Sequence, residues 1–422
     1  MVPLILACTF VLLFVAIPVH VVIGGVATAL SMSSPVPVLD AIGLSAWAQS
    51  NNYILVSIPL FILFGEMLVR SGLAGDMYDA IAPWLNRVPG RLMQTNIATS
   101  GVFSAICGSS VATTATITSI ALPQIDRHGY NERYFLGSIA AGGTLGVLIP
   151  PSINLIVYGS ITNTSIPDLY LAAIVPGILL VLLFMGITAL ISLINPGVAG
   201  TGVSVSWREK FRVLPSLLPP ALLFLIVIGT IYAGIATPTE AAGLGVAFTF
   251  LLVIVRRKFS FTMLNESLLA TARTTTFLIM IMIAAAFLNF VLGLLSFSSM
   301  LEQYTTGLGL GPYATIAVII LVYIVLGCFL DGLTMTVLTV PMIAPLVVQL
   351  GFDPIWFGIL VVIVTEIGLV TPPVGMNCFV IQAIRKRGSL NDIFIGVLPY
   401  LLVLLCMTVL LVAYPGIALW FR

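Results

Sequence analysis

Charged residues are the scarcest feature of this sequence. Only 7% of its 422 residues are Asp, Glu, Lys or Arg, while 60% are hydrophobic. An ordinary globular chain carries about 25% charged residues, so this composition excludes a soluble domain. The 16 basic and 15 acidic residues leave a net charge of +1, which provides no basic field for nucleic acid. We therefore expect a lipid bilayer, and no nucleic acid, around this chain.

Several chemical signatures are missing as well. The five cysteines lie scattered in apolar runs without a Cys-x-x-Cys pair, so neither a zinc site nor a disulfide framework is indicated. The sequence has no Gly-x-x-x-x-Gly-Lys, Gly-x-Ser-x-Gly or His-Glu-x-x-His motif, and we expect no enzyme and no organic cofactor. His20 and His128 have no neighbouring partner for catalysis or metal binding, and a lone histidine is usually structural.

Long uncharged segments are present instead. A helix that crosses a bilayer needs about 20 mostly apolar residues. Runs without any Asp, Glu, Lys or Arg include residues 1–39, 92–125, 134–167, 169–207, 213–239, 274–301, 303–330 and 393–421. Many contain Gly, Pro, Ser and Thr, which favours tilted, broken or re-entrant helices. We predict an all-α polytopic membrane protein. Its first run is a retained helix, because it lacks the basic start and cleavage site of a signal peptide.

The basic residues predict the orientation. Fourteen of them form four clusters, which comprise Arg70, Arg87, Arg91, Arg127 and Arg133; Arg208, Lys210 and Arg212; Arg256, Arg257 and Lys258; and Arg385, Lys386 and Arg387. Cytoplasmic loops collect such residues, so we place all four clusters inside, together with Met1. The acids that then fall on the far side are Asp40, Asp168, Glu302 and Asp353. Only Arg273 and Arg422 depart from this pattern.

The chain contains an internal repeat with a shift of 222 residues, the separation of Pro150 and Pro372. The same shift aligns the pairs Pro123 and Pro345, Gly129 and Gly351, Gly146 and Gly368, and Pro151 and Pro373. Basic residues surround Gly129, whereas only Asp353 lies near Gly351, so the two copies should enter from opposite faces. Inverted repeats with broken helices are typical of secondary transporters that bind substrate and ions near the membrane midplane.

Each copy is predicted to have two parts. Residues 91–123 and 313–345 are read as helical hairpins that enter the membrane and return. The following helices, 134–162 and 356–384, are interrupted at their Pro-Pro pairs. A proline pair removes amide donors and leaves carbonyl groups without helical partners. Such carbonyls can coordinate sodium, while the N-termini of half-helices face an anion.

Polar residues in the predicted hairpins and after the helix breaks suggest ligand-binding sites. The stretch from Ser104 to Ser110 fits either a ligand-binding tip or a small-residue packing patch. Asp331 lies in an otherwise uncharged span, where an ionisable group is costly and usually functional. Asn154 and Asn377 each follow a Pro-Pro pair, and the presence of two copies favours paired ion sites over simple kinks.

Other charged positions are less decisive. Glu66 and Arg70 have the spacing of an i,i+4 ion pair. Glu366 fits a gate, a proton site or a supporting hydrogen bond near Gly368, and the sequence leaves these alternatives open. Glu240 and Arg273 are read as scaffold residues.

The motifs together resemble a known family. The segment Phe103–Ser110, the Pro150-Pro151-Ser152 break, Asp331, and the segment Thr371–Asn377 resemble the large membrane subunit of tripartite ATP-independent periplasmic (TRAP) transporters. This is the DctM-like family of the ion transporter superfamily. The resemblance covers essentially the whole chain and is specific as a combination.

The resemblance implies an elevator transporter in the bacterial inner membrane, with a cytoplasmic N-terminus and a periplasmic C-terminus. The scaffold would comprise residues 1–90 and 169–312, the transport domain 91–168 and 313–392, and a final helix 393–422. The implied partners are a small four-helix membrane subunit on a separate chain and a periplasmic binding protein that delivers an organic anion.

The resemblance also implies ligands, namely at least two sodium ions and the anion. Sodium site 1 would use Ser104, Cys107, Gly146, Ile149 and Pro151. Sodium site 2 would use Gly327, Gly368, Thr371 and Val374. The substrate would contact Ser109, Ser110, Ser152, Asn154, Asp331 and Asn377. Cys107 stands where the family often has serine, which keeps a backbone ligand and removes a hydroxyl.

The function expected from these features is sodium-coupled uptake of a carboxylate such as a C4-dicarboxylate or sialic acid. One alternative is a stand-alone sodium/dicarboxylate symporter, which would need no binding protein. Another is a channel, which could not accumulate solute against a gradient.

Overall fold

The structure is a computed structural model that describes residues 17–32, 38, 41–202, 205–297, 300, 303 and 307–421. The expectations for Met1, Asp40, Glu302 and Arg422 lie outside the described residues. Within these ranges the regular secondary structure is helical, as the composition predicts.

Eighteen α-helices of the described ranges carry the argument. They are α1 Val19–Met32, α2 Ala41–Ser50, α3 Ser57–Ser71, α4 Leu73–Leu85, α5 Leu92–Cys107, α6 Ser110–His128, α7 Glu132–Leu148, α8 Ile153–Thr162, α9 Ile166–Ile194, α10 Trp207–Val213, α11 Leu218–Tyr232, α12 Pro238–Val255, α13 Phe261–Leu294, α14 Pro312–Gly327, α15 Gly332–Gln349, α16 Pro354–Val370, α17 Met376–Arg385 and α18 Leu390–Ala413.

Eight segments of the described chain are long and apolar enough to cross a membrane. They are Tyr53–Ser71, Glu132–Thr162, Ile166–Ile194, Trp207–Tyr232, Pro238–Val255, Phe261–Leu294, Gly332–Gln349 and Leu390–Ala413. The prediction of a multi-pass, all-α membrane protein is therefore confirmed at this level.

Two helical hairpins occur where the sequence predicts them. Helices α5 and α6 form hairpin 1, and α14 and α15 form hairpin 2. Hairpin 1 reverses at Gly108, whose φ of 64° is a left-handed conformation that glycine adopts without strain. Both second arms extend past the prolines taken as their ends, since Pro123 and Pro345 lie inside α6 and α15. A proline removes one backbone hydrogen bond, and packing of the buried faces outweighs that loss.

Two broken helices follow the hairpins. Helices α7 and α8 form broken helix 1, and α16 and α17 form broken helix 2. The linker 149–152 separates the first pair and the linker 371–375 separates the second. Both linkers contain a cis peptide bond within their proline pair, Pro150-Pro151 and Pro372-Pro373. The predicted interruptions thus occur at the predicted residues.

Each broken helix contacts the other near its ends. The Arg385 guanidinium, at the end of α17, donates to Glu132 at the start of α7 over 2.8 Å. In the other direction, the hydroxyl of Tyr158 in α8 donates to the Pro354 carbonyl at the start of α16 over 2.5 Å. These reciprocal contacts join the two halves of the chain.

An ionic cluster surrounds the first of these contacts. Arg387 donates to both oxygens of Asp126 at 2.8 and 2.9 Å and to Glu132 at 3.1 Å. Arg133 donates to Asp392 at 2.7 Å. The hydrogen bonds from Arg387 lower the pKa of the exposed Asp126 carboxyl below its usual value. The cluster therefore gathers ends of α6, α7 and α18 around the segment that follows α17.

Candidate functional site

A cavity of about 410 Å³ lies where both hairpin tips meet the broken helices and α3. Its polar lining side chains are Glu66, Ser109, Ser110, Asn154, Thr274 of α13, Asp331 and Glu366. Four of these seven, Ser109, Ser110, Asn154 and Asp331, are predicted substrate residues, and the fold brings them together from distant parts of the chain.

The tip of hairpin 1 is the N-terminus of α6. The Ser109 hydroxyl oxygen accepts from the amide of Ala112 over 3.4 Å and so caps this helix. The next residue, Ser110, points its hydroxyl at Glu366 in α16 and lies 2.8 and 2.9 Å from the two carboxylate oxygens. Glu366 is 1% exposed. Hairpin 1 is therefore hydrogen-bonded directly to a helix in the second half of the chain.

The tip of hairpin 2 carries Asp331. Its carboxylate accepts from the amide of Thr334 over 3.2 Å and from the Thr334 hydroxyl, so it caps α15. This contact gives Asp331 a structural role beside its place in the cavity lining. The predicted functional role stays a prediction.

The backbone of tip 1 packs closely on broken helix 1. A Cβ on Gly146 would lie 2.7 Å from the Ser109 carbonyl, and one on Gly108 would lie 2.7 Å from the Pro151 carbonyl oxygen. Only residues without a Cβ permit these approaches. The Ser104 hydroxyl is buried and has no hydrogen-bond partner among the described residues. The tip that follows Cys107 therefore lies against Gly146 and Pro151 of broken helix 1, and Ile149 lies with Pro151 in the linker between α7 and α8.

Hairpin 2 makes a matching approach to broken helix 2. A Cβ on Gly368 would lie 2.4 Å from the Cα of Gly327, so these two backbones touch. The Cys328 sulfur lies 3.4 Å from the Pro372 carbonyl oxygen. Gly327 and Gly368 of predicted sodium site 2 are thus in contact, and Thr371 and Val374 lie in the adjoining linker.

The two asparagines after the breaks lie in different surroundings. The Asn154 side chain lines the cavity, and its Nδ2 has no hydrogen-bond partner among the described residues. Asn377 is not among the lining residues. It is fully buried beside Gly143, where the Thr114 hydroxyl also lies. Ser152 is likewise buried and caps α8 through the amide of Leu155 at 3.4 Å.

Sequence comparisons place these features in a family. The sequence model described as "Tripartite ATP-independent periplasmic transporter, DctM component" matches residues 6–417. The chain belongs to this DctM family.

Two curated relatives of this DctM-family permease cover most of both chains. One is the C4-dicarboxylate TRAP transporter large permease protein DctM of Pseudomonas aeruginosa, which is 32% identical over 90% of this chain and 88% of its own. The other is the ectoine/5-hydroxyectoine TRAP transporter large permease protein UehC of Ruegeria pomeroyi, 31% identical over 87% of this chain and 86% of its own. The predicted resemblance is confirmed.

A solved structure supports the fold. The YdaH transporter of Alcanivorax borkumensis superposes with a TM-score of 0.62, covering 94% of this chain and 96% of that one at 16% sequence identity. At this identity the likeness concerns the fold alone.

The charges of the cavity in this DctM-family permease are of one sign. Glu66, Asp331 and Glu366 line it, and the described lining residues include no Lys, Arg or His. Glu66 forms the predicted ion pair with Arg70, which confirms the i,i+4 reading. A supporting hydrogen bond was one of the alternatives left open for Glu366, but the sequence did not identify Ser110 as its partner. The two residues stand 256 positions apart, and no local pattern in the sequence pairs them.

Proposed function

We propose that this DctM-family permease moves a carboxylate-bearing solute across the bacterial inner membrane together with sodium ions. The observation that carries the proposal is the cavity between the two hairpin tips. It lies next to two points where a hairpin backbone contacts a glycine of a broken helix, Gly146 and Gly368. Relatives named for C4-dicarboxylates and for ectoine support a carboxylate as the class of substrate.

Sodium binding is supported by the backbone geometry. Sodium is a hard cation that prefers oxygen ligands, and interrupted helices provide carbonyl oxygens without helical partners. The close approaches at Gly146 and Gly368 put hairpin backbone against each break. We assign one ion to each approach, with Ser104, Cys107, Gly146, Ile149 and Pro151 at the first. Gly327, Gly368, Thr371 and Val374 form the second.

An inverted repeat is supported by the reciprocal contacts. The start of α7 lies at the end of α17, and the start of α16 lies beside α8. Two broken helices connected in this way run in opposite directions. With the basic clusters inside, the N-terminus is cytoplasmic and the C-terminus periplasmic.

Transport follows an elevator mechanism in this proposal. The hairpins and broken helices form the moving domain, and helices such as α3, with α12 and α13 packed on it, belong to the scaffold. Sodium orders the broken helices and completes the anion site, so the two ligands bind with mutual dependence. A small four-helix subunit enlarges the scaffold, and a periplasmic binding protein delivers the solute.

Uptake by reconstituted proteoliposomes tests the proposal. The permease, its small subunit and its binding protein are supplied together, and uptake of labelled carboxylates is measured with external sodium or choline. We expect accumulation only with sodium and binding protein. Equal uptake in choline contradicts sodium coupling, and equal uptake without the binding protein indicates a stand-alone symporter.

A further inference from the structure

The basic cluster on α10 differs from the other three basic clusters in its partners. Each of the others contains arginines that are paired with carboxylates. These pairs include Arg70 with Glu66, Arg133 with Asp392, Arg256 with Asp76, and Arg385 with Glu132. On α10, by contrast, Arg208, Lys210 and Arg212 form no ion pair within 4 Å among the described residues. The acid of this helix, Glu209, accepts instead from the amide and the hydroxyl of Ser206 at 2.9 and 3.0 Å.

These bases surround a cluster of three aromatic rings, Trp84, Trp207 and Phe211. The Trp84 centroid lies 6.4 Å from that of Trp207 and 5.6 Å from that of Phe211, and the last two rings stack at 6.4 Å. The Lys210 ammonium lies 4.9 Å from the Trp207 centroid, and the guanidinium carbon of Arg87 lies 5.9 Å from it. A cation over an aromatic face is attracted by the ring electrons, so the rings and the cations hold each other in place.

The outer side of α10 is apolar and continues into α11. Four large side chains on it are between 42% and 60% exposed, namely Trp207, Phe211, Leu214 and Leu218. Their spacing of four, three and four residues is that of one face of a helix. Arg208 and Arg212 each follow an aromatic residue of this face and are exposed as well. An apolar face flanked by exposed bases is typical of a helix that lies in the membrane interface.

This face lies at the end of a membrane span. The candidate span Trp207–Tyr232 contains α10, a short turn and α11, and the basic residues place its first end on the cytoplasmic side. Tryptophan rings prefer the depth of the lipid headgroups, and anionic headgroups attract nearby Lys and Arg. Helix α10 packs on α4, and α4 packs on α5 of hairpin 1. A lipid on this face therefore lies beside the segment that leads into hairpin 1.

We propose that α10 and Arg87 form a binding surface for anionic phospholipids of the cytoplasmic leaflet. The exposed aromatic rings of α10 lie among the upper acyl chains, and its two exposed arginines bind the phosphate groups together with Arg87. Lys210 is only 5% exposed, so it supports the rings and does not reach the lipid. None of these residues lines the cavity, and the inference therefore goes beyond the proposed function.

The double variant Arg208→Gln/Arg212→Gln tests the charge of this surface. Both side chains are exposed, so their replacement removes two charges without disturbing the ring cluster. Arg127→Gln/Lys386→Gln is the matched control. It removes two exposed bases from other cytoplasmic clusters, and these bases also form no ion pair within the described ranges. In each background, Trp207→Phe gives the emission of Trp207 as the difference between two spectra.

The measurement is quenching of Trp207 emission by lipids with brominated acyl chains. The purified complex with its small subunit is placed in phosphatidylcholine nanodiscs that contain equal small fractions of brominated phosphatidylglycerol or brominated phosphatidylcholine. The ratio of the two quenching constants gives the enrichment of phosphatidylglycerol at Trp207. A base near an anionic surface contributes about fivefold to affinity, so we expect an enrichment of at least about tenfold in the wild type. Arg208→Gln/Arg212→Gln should lower it at least about fivefold, and the control should keep the wild-type value.

The ratio compares two lipids on one preparation, so partial loss of folded protein does not alter it. Equal quenching by both lipids in the wild type overturns the inference, and so does an unchanged enrichment in Arg208→Gln/Arg212→Gln. A lack of quenching by either lipid also overturns it, because the small subunit or water would then cover α10. The assay needs neither sodium nor a carboxylate, so a failure of the proposed transport function leaves its result unchanged.

Discussion

The two hairpin tips share a backbone plan and differ in the source of their carboxylate. Ser109 and Asp331 hold the same position in the two repeats, and each caps the second arm through the amide three residues on. Tip 2 carries its own carboxylate, whereas tip 1 has a neutral cap and meets Glu366 from the other half of the chain. The two tips therefore match in their helix-capping geometry while their chemistry differs.

The largest expected effect comes from filling the backbone contact at tip 2. In Gly368→Ala the new Cβ would lie 2.4 Å from the Cα of Gly327, and backbone cannot easily move aside. We expect a loss of about 3 kcal/mol in stability, measured as a lower Tm of the purified protein. Gly146→Ala should show a smaller loss, because its nearest atoms lie at 2.7 Å.

Gly186→Ala in α9 is the control for both glycine variants, since nothing lies within 4 Å of its added Cβ. Equal Tm values for Gly368→Ala and Gly186→Ala would show that the two backbones do not touch.

The charge of Asp331 at tip 2 can be tested separately from its role as the helix cap of α15. Asparagine caps a helix about as well as aspartate, so Asp331→Asn removes the charge and keeps the fold. We expect uptake to fall at least about tenfold, as for other functional acids inside membranes. Asp331→Ala should abolish uptake and also cost about 1 kcal/mol through the lost cap. If Asp331→Asn takes up solute at the wild-type rate, Asp331 serves only as a helix cap.

A smaller effect is expected at the end of α5. Cys107 is assigned to the first sodium site through its backbone, which is the same in serine. Cys107→Ser should therefore change the sodium concentration for half-maximal uptake by less than about twofold, since the two side chains differ mainly in polarity. Sodium-jump uptake assays measure this concentration, and a large shift would mean that the side chain itself binds the ion.

The smallest effect concerns the ionic cluster at the far end of hairpin 1. The pKa of Asp126 is lowered by its hydrogen bonds to Arg387, so the pair stabilises the fold above the ordinary carboxyl pKa and loses this effect as pH falls through the lowered value. Asp126→Asn should lower Tm by at most about 2 °C at pH 7. The difference should vanish in acid, and a constant difference would contradict the linkage.

Much of the fold could be predicted from local sequence. The proline pairs located both breaks, because proline cannot continue the helical hydrogen bonds. Asp331 stood out because it is charged within an apolar span. Glu66 and Arg70 were paired correctly, because residues four apart on a helix are neighbours.

The asparagines show where local sequence was insufficient. Both are the second residue of the helix after a break, and the linker before α17 has one residue more than the linker before α8. The 222-residue shift therefore aligns Asn154 with Met376 and not with Asn377. The two asparagines do not occupy equivalent positions, and Asn154 lines the cavity while Asn377 lies beside Gly143.

The sequence by itself determined the membrane class, the hairpins and the broken helices, because span length, proline and glycine act on the backbone where they occur. Only the tertiary structure decided which side chains share the cavity. The contact of Ser110 with Glu366 joins residues 256 positions apart. It exists because the two halves pack against each other, and no local pattern encodes that packing.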